Sequence, residues 1–124
     1  MIVLLDTHAL IWALEASPRL SSTARDVIED NDNVILVSVV SAWEIEIKKA
    51  LGRLDAPDDL EAAIEAAGFL KRLVTFDDVR HLSALPAHHK DPFDRMLIAQ
   101  ATAEGAPLVS ADPWISRYAL QVIW

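Results

Sequence analysis

The strongest constraint on the fold is a continuous apolar run, Ile2 to Leu5, at the start of the sequence. A strand that lacks polar alternation is typical of a parallel sheet covered on both faces. Val34 to Val37 and Leu108 to Val109 have the same character, and Phe69 to Thr75 and Leu120 to Ile123 are predicted to add further strands. The sequence therefore indicates a small, mainly parallel sheet.

Helical patterns separate these strands, and turn residues mark their ends. The predicted helices are Thr7 to Glu15, Ser21 to Asp30, Val39 to Leu51, Asp58 to Ala67, Val79 to Leu85, Pro92 to Glu104 and a short one at Pro113 to Tyr118. Strands that alternate with helices predict a layered α/β fold. The length of 124 residues predicts a single domain that spans residues 1–124.

The composition excludes several kinds of site and location. The absence of cysteine rules out disulfides, thiolate metal sites and a cysteine nucleophile, and it is compatible with a reducing cytosol. The apolar run at the N-terminus is short and is interrupted by Asp6, unlike a signal peptide. No segment approaches the roughly 20 apolar residues of a membrane helix. We therefore expect a soluble, cytoplasmic protein with no membrane contact.

The net charge of −8 counts against binding of nucleic acid over the whole surface. Phosphate backbones are normally met by an excess of Lys and Arg. A nuclease with this balance needs cations in its acidic site and basic side chains near that site. The candidate basic side chains are Lys48, Lys49, Arg53, Lys90 and Arg95.

Carboxylates recur where predicted strands give way to helices. The residues concerned are Asp6, Glu44, Asp94 and Asp112. In open α/β sheets, ligands bind at the carboxyl ends of the strands, and those ends meet at one edge of a parallel sheet. The shared placement of these side chains is therefore the functional signal in the sequence.

Each of these carboxylates also has a structural explanation. Asp6 and Asp112 fit the N-caps of the helices that follow them. The pattern Ser41-x-x-Glu44 is typical of a capping box, and Glu44 could also pair with Lys48 one helical turn later. Taken singly, these residues do not distinguish a cap from a catalytic group.

Asp94 lies in the predicted first turn of a helix that begins at Pro92. A carboxylate there complements the helix dipole, which gives Asp94 a structural explanation as well. Asp91 is the predicted N-cap, because proline is favoured at the first helical position that follows a cap. Asp94 is consequently less needed for capping, and Asp91 is either the cap or a helper at the site.

The chemistry of such a cluster follows from its charge. Two carboxylates about 4 Å apart repel by roughly 4 kcal/mol at an effective dielectric constant near 20. With oxygen ligands and no cysteine, the natural counter-charge is Mg²⁺ or Mn²⁺. Such ions polarise phosphate and lower the pKa of water, which suits phosphodiester cleavage. Thr7 and Ser110 offer neighbouring hydroxyls that could orient a ligand or a water molecule.

Other side chains indicate no different chemistry. The histidines His8, His81, His88 and His89 match no compact zinc spacing. His88 and His89 are interpreted as an exposed loop pair, although their closeness to Asp91 and Asp94 would also allow a contact with a substrate. The tryptophans are interpreted as core or interface residues. The helix with Ile11, Trp12 and Leu14 and the helix with Trp43 and Ile47 could present an apolar groove to a protein partner.

Several ordered segments resemble the PIN domain, and more narrowly a VapC-type toxin. They are Leu4-Leu-Asp6-Thr-His-Ala-Leu-Ile-Trp12, Ser41-Ala-Trp-Glu44-Ile45, Asp91-Pro-Phe-Asp94-Arg-Met-Leu-Ile-Ala-Gln-Ala101 and Leu108-Val-Ser-Ala-Asp112. The resemblance spans nearly the whole chain in the right order. It implies a three-layer fold in which a small, mainly parallel sheet is flanked by helices.

The resemblance also implies a function. Members of this family are Mg²⁺- or Mn²⁺-dependent endoribonucleases, usually homodimers, and a cognate antitoxin holds them inactive. Asp6, Glu44, Asp94 and Asp112 match the acidic quartet of the family, and Ser110 stands where the family often has Thr or Ser. These matches predict an RNA-cleaving toxin.

Two alternatives remain open at this level. Another Mg²⁺-dependent phosphoryl-transfer fold is possible, but a haloacid-dehalogenase-like phosphatase needs an acid at position 8, which is His8 here. A receiver domain would need paired acids at the first strand and a later lysine, neither of which can be placed. The other alternative is a noncatalytic protein-binding module whose acidic residues are only helix caps.

Overall fold

The computed structural model describes residues 1–124 and contains a five-stranded sheet whose neighbouring strands are all parallel. The strands are β1 (Ile2–Leu5), β2 (Val34–Ser38), β3 (Leu70–Arg72), β4 (Leu108–Val109) and β5 (Val122–Ile123). Their order in the sheet is β3-β2-β1-β4-β5. The predicted parallel sheet is confirmed, with β3 and β5 shorter than the sequence indicated.

Helices connect these strands in the predicted order. They are α1 (Thr7–Leu14), α2 (Ser22–Glu29), α3 (Val39–Ala50), α4 (Leu60–Ala66), α5 (Phe76–Leu82) and α6 (Pro92–Glu104), followed by a 3-10 turn at Ile115–Arg117. None of these helices is both long enough and apolar enough to cross a membrane.

The position of α5 differs from the prediction of Val79 to Leu85. The helix begins at Phe76 because Thr75 and Asp78 form a capping box. The Thr75 hydroxyl accepts a hydrogen bond from the Asp78 N–H at 3.2 Å, and the Asp78 carboxylate accepts from the Thr75 N–H at 2.9 Å. This reciprocal pair supplies partners for N–H groups that a helix start would otherwise leave free.

The apolar character of β1 is explained by its position between two cores. Val3 and Leu5 pack into a cluster with α1 to α4, whereas Leu4 packs with α6 on the opposite face. All three side chains are fully buried, and burial of each stabilises the fold by about 1.5–3 kcal/mol. The three-layer α/β arrangement is confirmed.

The topology creates a crevice at one edge of the sheet. The chain places β2 on one side of β1 and β4 on the other, so the strand order reverses at β1. Such a switch point opens a crevice at the carboxyl ends of the strands. Because α6 leads into β4, it runs antiparallel to the sheet, and its N-terminus reaches this same edge.

Candidate active site

A cavity of about 290 Å³ opens at this crevice. Its lining consists of Asp6, His8, Trp12, Glu44, Lys48, Asp91, Asp94, Ala111 and Asp112. The cavity therefore contains all the carboxylates singled out in the sequence. It lies where β1, α3, the start of α6 and the segment after β4 meet.

Asp6 directly follows β1 and is 5% exposed. Its Oδ1 accepts the Ala9 N–H at 2.8 Å, so the predicted N-cap of α1 is present. Capping occupies one carboxylate oxygen and leaves lone pairs on the other. The structural and the functional interpretation of Asp6 are thus compatible.

Glu44 does not take part in a capping box. The N-cap of α3 is Ser38, whose hydroxyl accepts the Val40 N–H at 3.0 Å, so Glu44 lies inside the helix. Its Oε1 accepts from the Thr7 hydroxyl at 2.8 Å, and its Oε2 lies 2.5 Å from Lys48 Nζ. The capping interpretation of Glu44 is therefore wrong. The partners of this buried carboxylate are Thr7 and Lys48, and Lys48 lines the cavity.

Asp91 and Asp94 divide their tasks as the sequence indicated. Asp91 Oδ1 accepts the N–H groups of Phe93 and Asp94 at 2.8 and 3.1 Å and therefore caps α6. Asp94 has no capping role, and its side chain turns into the cavity with 19% exposure. Asp94 reaches the site from the N-terminus of a helix that follows a loop, rather than from the end of a strand.

Asp112 is held by the backbone around it. Its N–H donates to the Ser110 hydroxyl at 3.0 Å, and its Oδ1 accepts the Trp114 N–H at 2.8 Å. The predicted helix over Pro113 to Tyr118 is reduced to the 3-10 turn Ile115–Arg117. Asp112 Oδ2 is directed toward the cavity, where it meets an imidazole.

That imidazole belongs to His89, which the sequence did not assign to the site. Its Nε2 lies 2.8 Å from Asp112 Oδ2 and 3.0 Å from Asp94 Oδ2. Its Nδ1 accepts the Asp91 N–H at 3.1 Å, so in the neutral ring the proton is on Nε2 and points at the two carboxylates.

The interpretation of His88 and His89 as an exposed pair holds for His88 alone. The His89 side chain is 13% exposed, and its backbone N–H donates to the Tyr118 hydroxyl at 2.8 Å. In the sequence, the only indication that His89 belongs to the site is its proximity to Asp91 and Asp94. That proximity does not show in which direction the ring points.

Charge repulsion in the cavity is offset in several ways. Burial raises the pKa of Asp94 to about 7, and Asp91, Glu44 and Asp6 add to this effect while His89 opposes it. Burial also raises the pKa of Asp6, against hydrogen bonds from Ser110 and the Ala9 N–H. Protons, Lys48 and the His89 N–H therefore share the task that a bound cation would perform.

Two of the other basic candidates, Lys49 and Arg95, are engaged elsewhere. Lys49 Nζ donates to the Pro57 carbonyl at 3.2 Å. The Arg95 guanidinium donates to the Pro86 carbonyl at 2.8 Å and to the Tyr118 hydroxyl at 3.1 Å, so it supports the loop that carries His89 instead of lining the cavity. Among the predicted basic residues, Lys48 alone lines the cavity.

The donor set fits a hard divalent ion. Carboxylate oxygens of Asp94 and Asp112 and a ring nitrogen of His89 lie within 4.8 Å of one another, and Asp6 and Glu44 line the same cavity. Oxygen ligands suit Mg²⁺ and Mn²⁺, and an imidazole among them is better tolerated by a transition metal such as Mn²⁺.

Comparison with known families agrees with this architecture. Residues 3–120 match the PIN domain. The chain belongs to the PIN-domain family. No curated protein matches the sequence.

Solved structures share the fold of this PIN domain at low sequence identity. VapBC2 from Rickettsia felis, bound to a DNA fragment from the promoter of the pair, has a TM-score of 0.67 at 14% identity and covers 98% of this chain and 97% of the other. VapBC-1 from nontypeable Haemophilus influenzae has a TM-score of 0.61 at 19% identity, and the match covers 98% of this chain and 96% of the other. VapBC-5 from Mycobacterium tuberculosis has a TM-score of 0.60 at 18% identity, and the match covers 98% of this chain and 94% of the other.

Proposed function

We propose that this PIN domain is a Mg²⁺- or Mn²⁺-dependent endoribonuclease and acts as the VapC-type toxin of a toxin–antitoxin pair. The observation that carries the proposal is the convergence of Asp6, Glu44, Asp94 and Asp112 in one cavity at the switch point of the sheet. Helix capping explains Asp6 but accounts for neither Glu44 nor Asp94. A noncatalytic module would have no reason to bury these charges together.

The proposed mechanism gives a part to the four converging carboxylates and to Lys48. Asp6, Asp94 and Asp112 would hold the metal, which when bound polarises the phosphate and lowers the pKa of water. Glu44 is fixed by Thr7 and Lys48, and each of its oxygens keeps a lone pair that can orient the attacking water or accept its proton. Lys48 pairs with Glu44 and also lines the cavity, so it can place a positive charge beside a bound phosphate.

The proposed partner is a cognate antitoxin, as in the toxin–antitoxin complexes that share this fold. Ile11 of the predicted groove is buried. At intervals of one helical turn, however, α3 and its C-cap residue expose four apolar side chains, Val39, Trp43, Ile47 and Leu51. An apolar stripe of this kind suits an amphipathic helix of another chain. Assembly into a homodimer is part of the same proposal.

The experiment that tests the proposed activity uses the purified protein freed of any partner. Single-stranded RNA is incubated with Mg²⁺, with Mn²⁺ or with EDTA, and Asp94→Asn and Asp6→Asn are compared with the parent. Asp26→Asn is the control, because Asp26 is an exposed carboxylate of α2 away from the cavity. We expect metal-dependent cleavage by the parent and the control, and a loss of at least about 100-fold in the two site variants.

Two results would count against the proposal. Cleavage that persists in EDTA would remove the metal from the mechanism. Site variants as active as Asp26→Asn would show that the carboxylates are structural, as in a noncatalytic module.

A further inference from the structure

An aromatic wall stands on one side of the acidic cavity, formed by His8, Trp12 and Trp124. The ring centroids of His8 and Trp12 are 5.5 Å apart, and those of Trp12 and Trp124 are 5.6 Å apart, in tilted arrangements. His8 and Trp12 line the same cavity as the carboxylates. The nuclease mechanism proposed above gives these rings no task.

The wall is anchored on one side and open on the other. Trp12 is partly buried and packs against the larger apolar core, so its orientation is fixed by the fold. His8 is exposed, and Trp124 is 36% exposed. A ring that is held by the core while its neighbours face solvent is pre-organised to receive a flat ligand.

The charge of the protein defines which ligand this wall suits. The chain has a net charge of −8, and Lys48 is the one basic side chain that lines the cavity. Contacts to phosphate are therefore few, and the electrostatic attraction that dominates most nucleic-acid binding is weak here. A nucleobase carries no charge and offers a flat face, so it can add affinity where phosphate contacts cannot.

We propose that the aromatic wall stacks with a nucleobase of the RNA, next to the phosphodiester that is cleaved. This inference rests on the proposed ribonuclease function and identifies the side chains that position the RNA. Bases inside a duplex are stacked on one another and are not available to a protein ring, whereas bases of loops and single strands are. The wall therefore selects single-stranded segments without reading a particular sequence.

A protein segment is the other occupant that aromatic rings could accept. The base is favoured because His8 and Trp12 line the cavity that contains the carboxylates, whereas the exposed apolar stripe along α3 lies outside the lining of that cavity. His8 also places a polar ring at the exposed end of the wall, which suits the polar edge of a base better than an aliphatic side chain.

The test compares Trp12→Leu with Trp12→Phe. The control is Phe76→Leu, because Phe76 is an aromatic residue of α5 that is 84% exposed and does not line the cavity. For Trp12→Leu we expect KM for an unstructured RNA to rise roughly tenfold, the scale of effect for loss of a stacking ring. The value of kcat should stay within about twofold, because stacking acts equally in the ground state and the transition state. Trp12→Phe should recover most of the loss.

A second arm locates the base. RNAs with one abasic nucleotide at successive positions around the cleavage site are assayed with the parent and with Trp12→Leu. At one position, loss of the base should raise KM of the parent roughly tenfold. The same loss should leave KM of Trp12→Leu almost unchanged, because the ring that stacks with this base is already absent. Equal losses in both proteins at every position would overturn the inference.

A binding arm separates failure of this inference from failure of the proposed function. The Kd of a labelled, noncleavable single-stranded oligonucleotide is measured in Mn²⁺ by fluorescence anisotropy, with a duplex of the same sequence as comparison. If the parent cleaves no RNA, the proposed function fails, but weaker oligonucleotide binding by Trp12→Leu still supports the wall. The inference is overturned if Trp12→Leu leaves both Kd and KM unchanged, or if the substitution weakens only the binding of the cognate antitoxin. If Trp12→Leu does not fold, His8→Ala, which removes the exposed ring of the wall, takes its place in every arm.

Discussion

Asp94→Asn should stabilise the metal-free protein, and the gain should grow with pH. The pKa of Asp94 is raised from 3.8 to about 7 in the folded state, a difference of roughly 4 kcal/mol at 1.36 kcal/mol per pH unit. Because the folded state binds this proton more tightly than the unfolded chain, folding of the parent becomes less favourable as pH rises from about 4 to about 7. Asparagine has nearly the same shape and carries no charge, so the variant avoids this loss.

The magnitude depends on pH in a way that a simple packing effect would not. At pH 5 the unfolding free energy of the variant should exceed that of the parent by about 1–2 kcal/mol, and at pH 8 by about 4 kcal/mol, when the full shift applies. Saturating Mg²⁺ should narrow or reverse the difference, because the ion binds the folded parent and stabilises it by about 2.7 kcal/mol at a hundred times its Kd.

Urea unfolding at pH 5 and pH 8 in EDTA, followed by circular dichroism, measures these differences. Asp26→Asn is again the control, since an exposed carboxylate should change stability little at either pH. The reasoning would be refuted if the variant were less stable than the parent at pH 8. It would also be refuted if the difference in unfolding free energy between the two proteins were the same at both pH values. The charge in the cavity would then be compensated by something other than a proton on Asp94.

Further predictions concern the metal and the buried ion pair. Mn²⁺ affinity, measured by calorimetry, should fall about tenfold per pH unit below pH 7, because binding displaces the proton of Asp94. His89→Ala should lower the unfolding free energy of the metal-free protein by about 1–2 kcal/mol, and saturating Mn²⁺ should restore much of it. Asp78 is fully buried, and although burial opposes ionisation, hydrogen bonds from Arg72 and its neighbours lower its pKa to about 2. Asp78→Asn should therefore cost about 3 kcal/mol in urea unfolding at pH 7, whereas the exposed Asp77→Asn should cost almost nothing. The contribution of Asp78 is complete above pH 4 and is lost as pH falls through about 2, so acid titration of the parent should show this loss.

The local structure of the chain was largely readable from the sequence. The apolar run of β1 predicted a strand buried on both faces, and its side chains are indeed fully buried. Asp91 and Pro92 predicted the start of α6, where the cap is present. Such predictions succeed because strand burial, capping and turn formation depend on hydrogen bonds and side-chain patterns within a few residues. The start of α5 was missed because the Thr75 and Asp78 capping box was not recognised.

The role of each site residue was decided by the tertiary structure. In the sequence, Ser41 and Glu44 could be a capping box, but Ser38 begins the helix and leaves Glu44 to meet Thr7, a residue 37 positions earlier. In the sequence His89 resembles an exposed loop residue, but in the structure its ring contacts Asp112, 23 positions later. Sequence spacing carries no information about such pairs, because their distance depends on how α6 and the loop before it pack against the sheet.

The sequence by itself thus determined the strands, most of the helices and the set of candidate carboxylates. The tertiary structure determined that these charges share one cavity, that His89 joins them, and that Trp12 stands beside them. The physical reason is that a local pattern is satisfied by neighbours along the chain, whereas repulsion between buried carboxylates and the partners that relieve it arise only when distant segments meet.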